Sequence, residues 1–286
     1  MNQKASRLLA QASLFRCPIC HQSMTAQDSS LICESRHTFN LSKKGHVNFV
    51  PGQKPLKYTR ELFAARERIL QAGFYLPLLE TLQSLIEIHR TQIGGNPLVI
   101  LDAGCGQGYY TRELAYGTQD TLLGFDLSQD AIAMAASGVH PANFFIADLT
   151  NIPLQDASQD LVIDLLTQAN YAEFRRVLRP GGLLIKIIPG PDYLKEIRQL
   201  LGGSLLHESH SDDDVLRHFQ AHCTLTDRRS VYYSRTLEQD QARDMIRMTP
   251  MALGVDPETL STNTLHAITI DLRILIGSFP QTGAEF

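Results

Sequence analysis

Val99-Ile-Leu-Asp-Ala-Gly-Cys-Gly-Gln-Gly-Tyr-Tyr-Thr-Arg-Glu-Leu114 is the stretch whose reading decides the fold. It opens as an apolar run, the pattern of a strand buried on both faces of a parallel sheet. Gly104, Gly106 and Gly108 then break the run, and a helical pattern resumes from about Tyr109. Strand, glycine turn and helix together are the parts of a nucleotide-binding crossover. Glycine turns the backbone tightly and lets a ligand lie against main-chain N–H groups with no Cβ in the way.

Spacing selects among ligands. A dinucleotide fingerprint, G-x-G-x-x-G, puts its third glycine one residue later, and a phosphate-binding loop needs a Gly-Lys-Ser/Thr that this turn lacks. Asp102-x-Gly104-x-Gly106-x-Gly108 resembles motif I of the class I S-adenosylmethionine (AdoMet) methyltransferases, whose cofactor presents a methionine and a ribose instead of a pyrophosphate. A sharp packed turn would use the same letters, so the context decides. Residues 121–126 read as the second strand, and Asp126 follows Gly104 by 22 residues. A carboxylate there can accept hydrogen bonds from both ribose hydroxyls. Its competing role is to cap the next helix, for which Ser128 is also placed. Residues 144–149 read as the third strand, with Asp148 able to accept from an adenine amino group. Residues 160–166 read as the fourth, and Arg179-Pro-Gly-Gly182 leads into the fifth at 183–188. The expected fold is α/β, a Rossmann-like doubly wound class I methyltransferase sheet with ligands at the carboxyl ends of its strands. Beyond it, 219–237 read as an antiparallel pair, 238–248 as a helix and 264–276 as a last strand.

Upstream, Phe15-Arg-Cys17-Pro-Ile-Cys20-His21 and Cys33-Glu-Ser-Arg-His37 make the pattern C-x2-C-x12-C-x3-H. Two closely spaced pairs of N and S ligands close a tetrahedral site on Zn²⁺ with no open position, which makes the metal structural. His21 sits beside Cys20, so His37 is the better fourth ligand. A c-type haem attachment fits Cys17–His21 but needs export, and a redox Cys-x-x-Cys leaves Cys33 and His37 unexplained. Ordinary buried cysteines are the plain alternative.

The 286-residue chain has room for one α/β domain and a small accessory unit, and its 43% hydrophobic and 20% charged composition is that of a globular protein. No apolar run is long enough for a bilayer and no signal peptide is evident, so a cytoplasmic location, with reduced thiols, is expected. The net charge of −4 conceals an asymmetry: residues 1–70 hold 11 Lys/Arg against 4 Asp/Glu. A basic N-terminal quarter on an acidic body suggests a polyanion-facing module, or simply a solvated basic surface. Residues 51–60, with Lys54, Lys57, Tyr58 and Arg60, read as an exposed linker suited equally to a hinge and to a single-stranded nucleic acid. From 61 to 89 the pattern is helical, divided at Gly73 and Pro77, with Tyr75 in the break where its side chain could cover a cofactor. Three segments follow: 1–50 zinc-binding, 51–96 linker and bridging helices, and 97–286 catalytic.

Zinc knuckle, linker, helical bridge and AdoMet domain in this order resemble the bacterial 23S ribosomal RNA guanine-N1 methyltransferases. The carriers are CPIC…CESRH, FNLSKKGHVNFV, ARERILQAGFY, LDAGCGQGYYT, ANYAEF at 169–174, IPGP at 188–191 and the stretch around Met248-Thr-Pro-Met251. The resemblance implies methyl transfer from AdoMet to N1 of a guanine in a hairpin loop of 23S rRNA by a homodimer with a basic RNA-binding cleft. It implies zinc on Cys17, Cys20, Cys33 and His37, and AdoMet contacts from Tyr75, Gly106, Gln107 and Tyr193. One branch of the family carries histidine where this chain has Tyr193, and another has proline where it has Gln168, near the expected base pocket. Tyr171 is placed to stack on a splayed base. Asp164 is a candidate acceptor for the N1 proton, or else a structural carboxylate. A small-molecule AdoMet methyltransferase and a non-catalytic RNA-binding protein that retains AdoMet are the rival readings. The zinc knuckle and basic linker speak against the first, and the intact cofactor motif against the second.

Overall fold

The computed structural model describes residues 3–53, 57–202, 212–255, 259–260 and 262–280; Lys54 of the basic linker and the last residues of the catalytic segment lie outside them. After helix α1 (Gln3–Ala10), strands β1 (Met24–Gln27), β2 (Ser30–Cys33) and β3 (Thr38–Asn40) form an antiparallel ribbon, and β4 (Val47–Asn48) follows. Helices α2 (Arg60–Gln71) and α3 (Leu76–Gln92) come next. Thr59 caps the first, its hydroxyl accepting from the Leu62 N–H at 3.4 Å, and Pro77 sits in the first turn of the second.

The alternating part then runs β5 (Val99–Ala103), α4 (Tyr109–Ala115), β6 (Thr121–Asp126), α5 (Gln129–Ala135), β7 (Asn143–Ile146), β8 (Gln159–Leu165), α6 (Tyr171–Val177) and β9 (Leu178–Pro189). Helices α7 (Lys195–Leu200) and α8 (Asp212–His222), strand β10 (Thr224–Thr236), helix α9 (Gln239–Met248) and strand β11 (Ala267–Ser278) complete the described chain. Eight strands make one sheet in the order β10-β11-β9-β8-β5-β6-β7-β4; β5 to β9 are parallel, while β10 and β11 run antiparallel at one edge. The order reverses between β5 and β8, the switch point where a crevice opens at the carboxyl ends of the strands. Alternate residues serve opposite faces: Ile185 and Ile187 of β9 join the core under α3, α4 and α9, while Leu184 and Ile188 join the core under α1, α6 and α8.

The zinc-ligand segment is built into this sheet. Strand β4 adds to it in parallel beside β7, and Phe15 packs against Phe49 (5.6 Å) and Phe145 (5.4 Å), which in turn stacks on Phe125 (5.5 Å). Three of the segment's basic residues are tied to main chain, while Arg16 pairs with Asp156 at 3.2 Å. Arg7 donates to the carbonyls of His140 (3.0 Å) and Ala142 and to the Asn143 side chain (3.1 Å), while Lys4 and Lys44 donate to carbonyls at the end of α5.

One expectation is corrected. Residues 219–237 are not an antiparallel pair: α8 runs through His222, and 224–236 is a single strand whose partner is β11. The many polar residues of 224–236 suit a solvent-facing edge strand.

Candidate active site and metal centre

Two matching turns build the metal centre. The His21 N–H donates to the Cys17 carbonyl at 2.8 Å, and the Arg36 N–H donates to the Cys33 carbonyl at 2.8 Å. His21 (φ +60°) and Arg36 (φ +63°) take left-handed backbone to close them. The turns bring the ligand atoms of Cys17, Cys20, Cys33 and His37 within 4.8 Å of one another. Cys20 Sγ lies 3.6 Å from Cys33 Sγ, and His37 Nδ1 lies 3.5 Å from Cys17 Sγ and 3.4 Å from Cys33 Sγ. Tetrahedral Zn²⁺ with Zn–S of about 2.3 Å and Zn–N of about 2.0 Å has ligand–ligand edges of roughly 3.5–3.8 Å, so the four groups fit it. His21 is not among them. The Gln22 N–H, donating to the Cys20 sulfur, draws that thiol down to about 6, towards the thiolate a metal requires.

A cleft of about 1700 Å³ opens at the carboxyl ends of β5, β6, β8 and β9. Ligand sites typically enclose about 300–1,000 Å³, so it has room for a cofactor and an acceptor together. Its first arm is bordered by Arg66, Tyr75, Gly104, Gly106, Asp126, Asp148 and Tyr193. Gly104 is left-handed (φ +73°), and a Cβ there would sit 2.9 Å from Thr167. Asp126 accepts from the Gly106 N–H at 3.0 Å and the Ser128 N–H at 2.7 Å, while the Ser128 hydroxyl caps α5. The carboxylate therefore faces the cleft instead of capping. Burial raises its pKa, against the pull of those N–H groups. Asp148 accepts from the Thr150 N–H (2.8 Å) and hydroxyl (2.7 Å). The hydroxyls of Tyr75 and Tyr193 lie 2.8 Å apart. Acceptors for ribose hydroxyls and an adenine amino group, a cradle that a Cβ would fill and a nearby guanidinium are a donor and acceptor set that fits AdoMet.

Asp102, Gln107 and Gly108 stand behind this arm. Asp102 is buried, accepts from the Thr111 hydroxyl at 2.6 Å and is pushed up to about 7 by burial. The Gln107 carbonyl accepts from Arg112 at 2.6 Å, and Gly108 opens α4 against Ala135 and Phe144. Arg66 was not anticipated. Its guanidinium lies beside Gly106, donates to the Met248 carbonyl at 2.9 Å and covers the Phe63 ring at 5.6 Å. Its sequence signal is an arginine on the apolar stripe of α2, three residues after Phe63 and four before Leu70.

The second arm is bordered by the loop 166–170, Tyr171, Arg175, Lys186, Arg198, His218 and His222. Tyr171 is 6% exposed, with the His222 ring stacked on it at 4.7 Å. Leu166, a branched side chain at φ +53°, marks local strain at the end of β8. Asp164 is wholly buried and does not border the cleft. Its Oδ2 accepts from Lys186 Nζ at 2.6 Å, and burial pushes the carboxyl up to about 7 against that ammonium.

Comparison with known proteins bears on both centres. Residues 15–56 match the zinc-ribbon family described as RlmA, N-terminal, and residues 100–182 match a methyltransferase domain family. A Bacillus subtilis (strain 168) protein provisionally named 23S rRNA (guanine-N(1)-)-methyltransferase YxjB is 35% identical, over 93% of this chain and 97% of its own. The 23S rRNA (guanine(748)-N(1))-methyltransferase of Streptomyces fradiae is 28% identical, over 91% and 95%. A malonyl-[acyl-carrier protein] O-methyltransferase of Coxiella burnetii (strain RSA 493 / Nine Mile phase I) is 32% identical, but over only 49% of this chain and 53% of its own. Among solved structures, the YcgJ protein from Bacillus subtilis overlaps 65% of this chain and 93% of that chain, with a TM-score of 0.48 and 17% identity. The fold is thus that of an AdoMet-dependent methyltransferase carrying a zinc ribbon, whose Cys3His cluster holds a structural zinc.

Proposed function

This chain belongs to the 23S rRNA guanine-N1 methyltransferase family, and from that membership we propose that it methylates N1 of a guanine in a hairpin loop of 23S rRNA. The observation that carries the reading is the second arm of the cleft. It sets the His222 ring, stacked on the buried Tyr171, with Lys186, Arg175 and Arg198 beside the cofactor arm, an aromatic and cationic lining suited to a splayed nucleotide and its phosphates. AdoMet, when bound, supplies the methyl group and keeps the S–C electron pair as a thioether.

In this reading Asp126 receives the ribose hydroxyls, Asp148 the adenine amino group, and Gly104 and Gly106 let the cofactor lie against main chain. Tyr75 and Tyr193 close over it. Asp102, Gln107 and Gly108 hold the loop from behind. Residues 1–50 face RNA, 51–96 bridge, and 97–286 carry the chemistry. The working form is a cytoplasmic homodimer that binds ribosomal RNA during its processing. No helix among the described residues is long and apolar enough to cross a membrane.

The experiment is primer extension on unmodified 23S rRNA incubated with the protein and AdoMet. Methylated N1 cannot pair, so a new stop beside one loop guanine is expected; position 748, named for the Streptomyces fradiae relative, is the first place to look. No stop on naked RNA or on ribosomal particles, with AdoMet bound, would transfer the reading to a small-molecule acceptor.

A further inference from the structure

Lys186 stands in the middle of Leu183-Leu-Ile-Lys-Ile-Ile188, an otherwise apolar strand between parallel β8 and antiparallel β11, and is 5% exposed. It lies opposite Asp164 in the β8–β9 register. A buried ion pair is a poor device for holding a sheet together, since a well-packed apolar pair of similar volume serves stability as well or better. This pair has a different distinction: Lys186 borders the acceptor arm of the cleft, whereas Asp164 lies behind it. An ammonium has three donors. One goes to Asp164 Oδ2 (2.6 Å) and one to the Thr167 carbonyl (3.2 Å), which fixes the charge at the cleft wall. Arg175 is exposed and Arg198 half-buried, places suited to phosphates; Lys186 is the buried cation of this arm.

We propose that Lys186 is a catalytic residue: its ammonium donates to O6 of the acceptor guanine and stabilises the anion formed as N1 loses its proton, with Asp164 as its positioning residue. This rests on the guanine-N1 reading above. Guanine N1 carries a proton at neutral pH, and its loss spreads negative charge over N1 and O6. A cation fixed at O6 interacts most strongly once that charge has developed, so it favours the reactive form over the resting one. The N1 proton passes to water at the open mouth beside Gln168 and Arg175, the N1–C bond forms, and the S–C bond breaks with its electron pair left on sulfur. The ionisable groups that interact with this pair are Asp102 from β5 and Tyr171 from α6, and Tyr171 in turn is packed by His218 and His222 from α8 and lies near Cys223.

The test compares wild type with a Lys186→Met/Asp164→Asn double variant, which leaves no lone charge in the core, and with Lys186→Arg. AdoMet affinity is read by calorimetry, and single-turnover methylation of 23S rRNA across neutral to alkaline pH. The double variant should bind AdoMet as wild type does and lose about 100-fold in rate at neutral pH. Its rate should keep rising with pH beyond the wild-type plateau, so that the deficit narrows. Lys186→Arg should keep the wild-type pH profile within about 10-fold in rate. An unchanged rate, or a loss uniform across pH, in the double variant overturns the proposal. If that variant fails to bind AdoMet, Lys186→Arg decides: a displaced pH profile there is equally adverse. A wild-type protein that leaves no stop on RNA defeats the guanine-N1 reading itself, which is a separate result.

Discussion

At the scale of residues, the cofactor loop is decided by space. Gly108 takes φ +77°, and a Cβ on it would lie 2.7 Å from Ala135 and from the Phe144 ring. Gly108→Ala therefore combines left-handed strain with overpacking. It should cost about 2–4 kcal/mol in denaturant unfolding and lose most AdoMet binding in calorimetry. The glycines, the two downstream acids and the Cys3His set were all legible in the sequence, because each rests on residue type and spacing alone. The division of labour between Asp126 and Ser128 was not, since it depends on which atom reaches the Gly106 N–H and which the Ala131 N–H. Arg66 and Lys186 were legible in a weaker sense. Each is a charge inside an apolar pattern, but what it faces comes from elements far away in the chain: Met248 and Gly106 for one, Asp164 and Thr167 for the other.

At the scale of elements, the basic N-terminal quarter holds two contrasting groups of cations, besides Arg16, Arg66 and Arg68, which are held by Asp156, the Met248 carbonyl and Asp244. Lys4 and Lys44 spend their donors on carbonyls at the end of α5, the place where a helix leaves carbonyls without partners, and Arg7 spends its own on the loop that leads into β7. Arg36, Lys57 and Arg60 are exposed. Arg7→Met should cost about 1–3 kcal/mol, because it strips three partly buried acceptors of their donor, and should leave the salt dependence of RNA binding unchanged. Replacing Arg36, Lys57 and Arg60 by Gln should do the reverse, with little change in stability and a shallower slope of log affinity against log salt. Filter binding over a salt series, set beside thermal melts, separates the two groups. Charge counting saw one basic segment, because it cannot tell a capped carbonyl from a phosphate. The reading of 219–237 as an antiparallel pair fails for a similar reason: the end of α8 and the whole of β10 lie there, and only the pairing of β10 with the distant β11 makes 224–236 one long edge strand.

At the scale of the molecule, the ribbon and the catalytic sheet share a core. Leu8, Phe15, Met24 and Leu31 pack in one cluster with Leu101, Phe125, Phe145 and Phe174. Losing the metal should therefore be felt beyond the ribbon. Wild type is expected to carry one zinc per chain by elemental analysis. Cys33→Ser should carry less than about a tenth of that and melt in a single earlier transition that includes the AdoMet site, since structural zinc supplies folding free energy directly. Two separate transitions, the second at the wild-type temperature, would show the two parts to be independent. The sequence alone determined the strand–glycine–helix unit, the order of acids after successive strands, the four zinc ligands and the family, because all of these are local patterns of residue type and spacing. Tertiary structure decided what local patterns do not encode. It added β4 to the sheet edge, tied Lys4 and Lys44 to α5 and Arg7 to the loop before β7, turned Asp126 towards the cleft, and set the Lys186 ammonium in its wall. The physical reason is that burial and hydrogen-bond partnership are properties of contacts between distant segments, and those contacts exist only once the sheet has assembled.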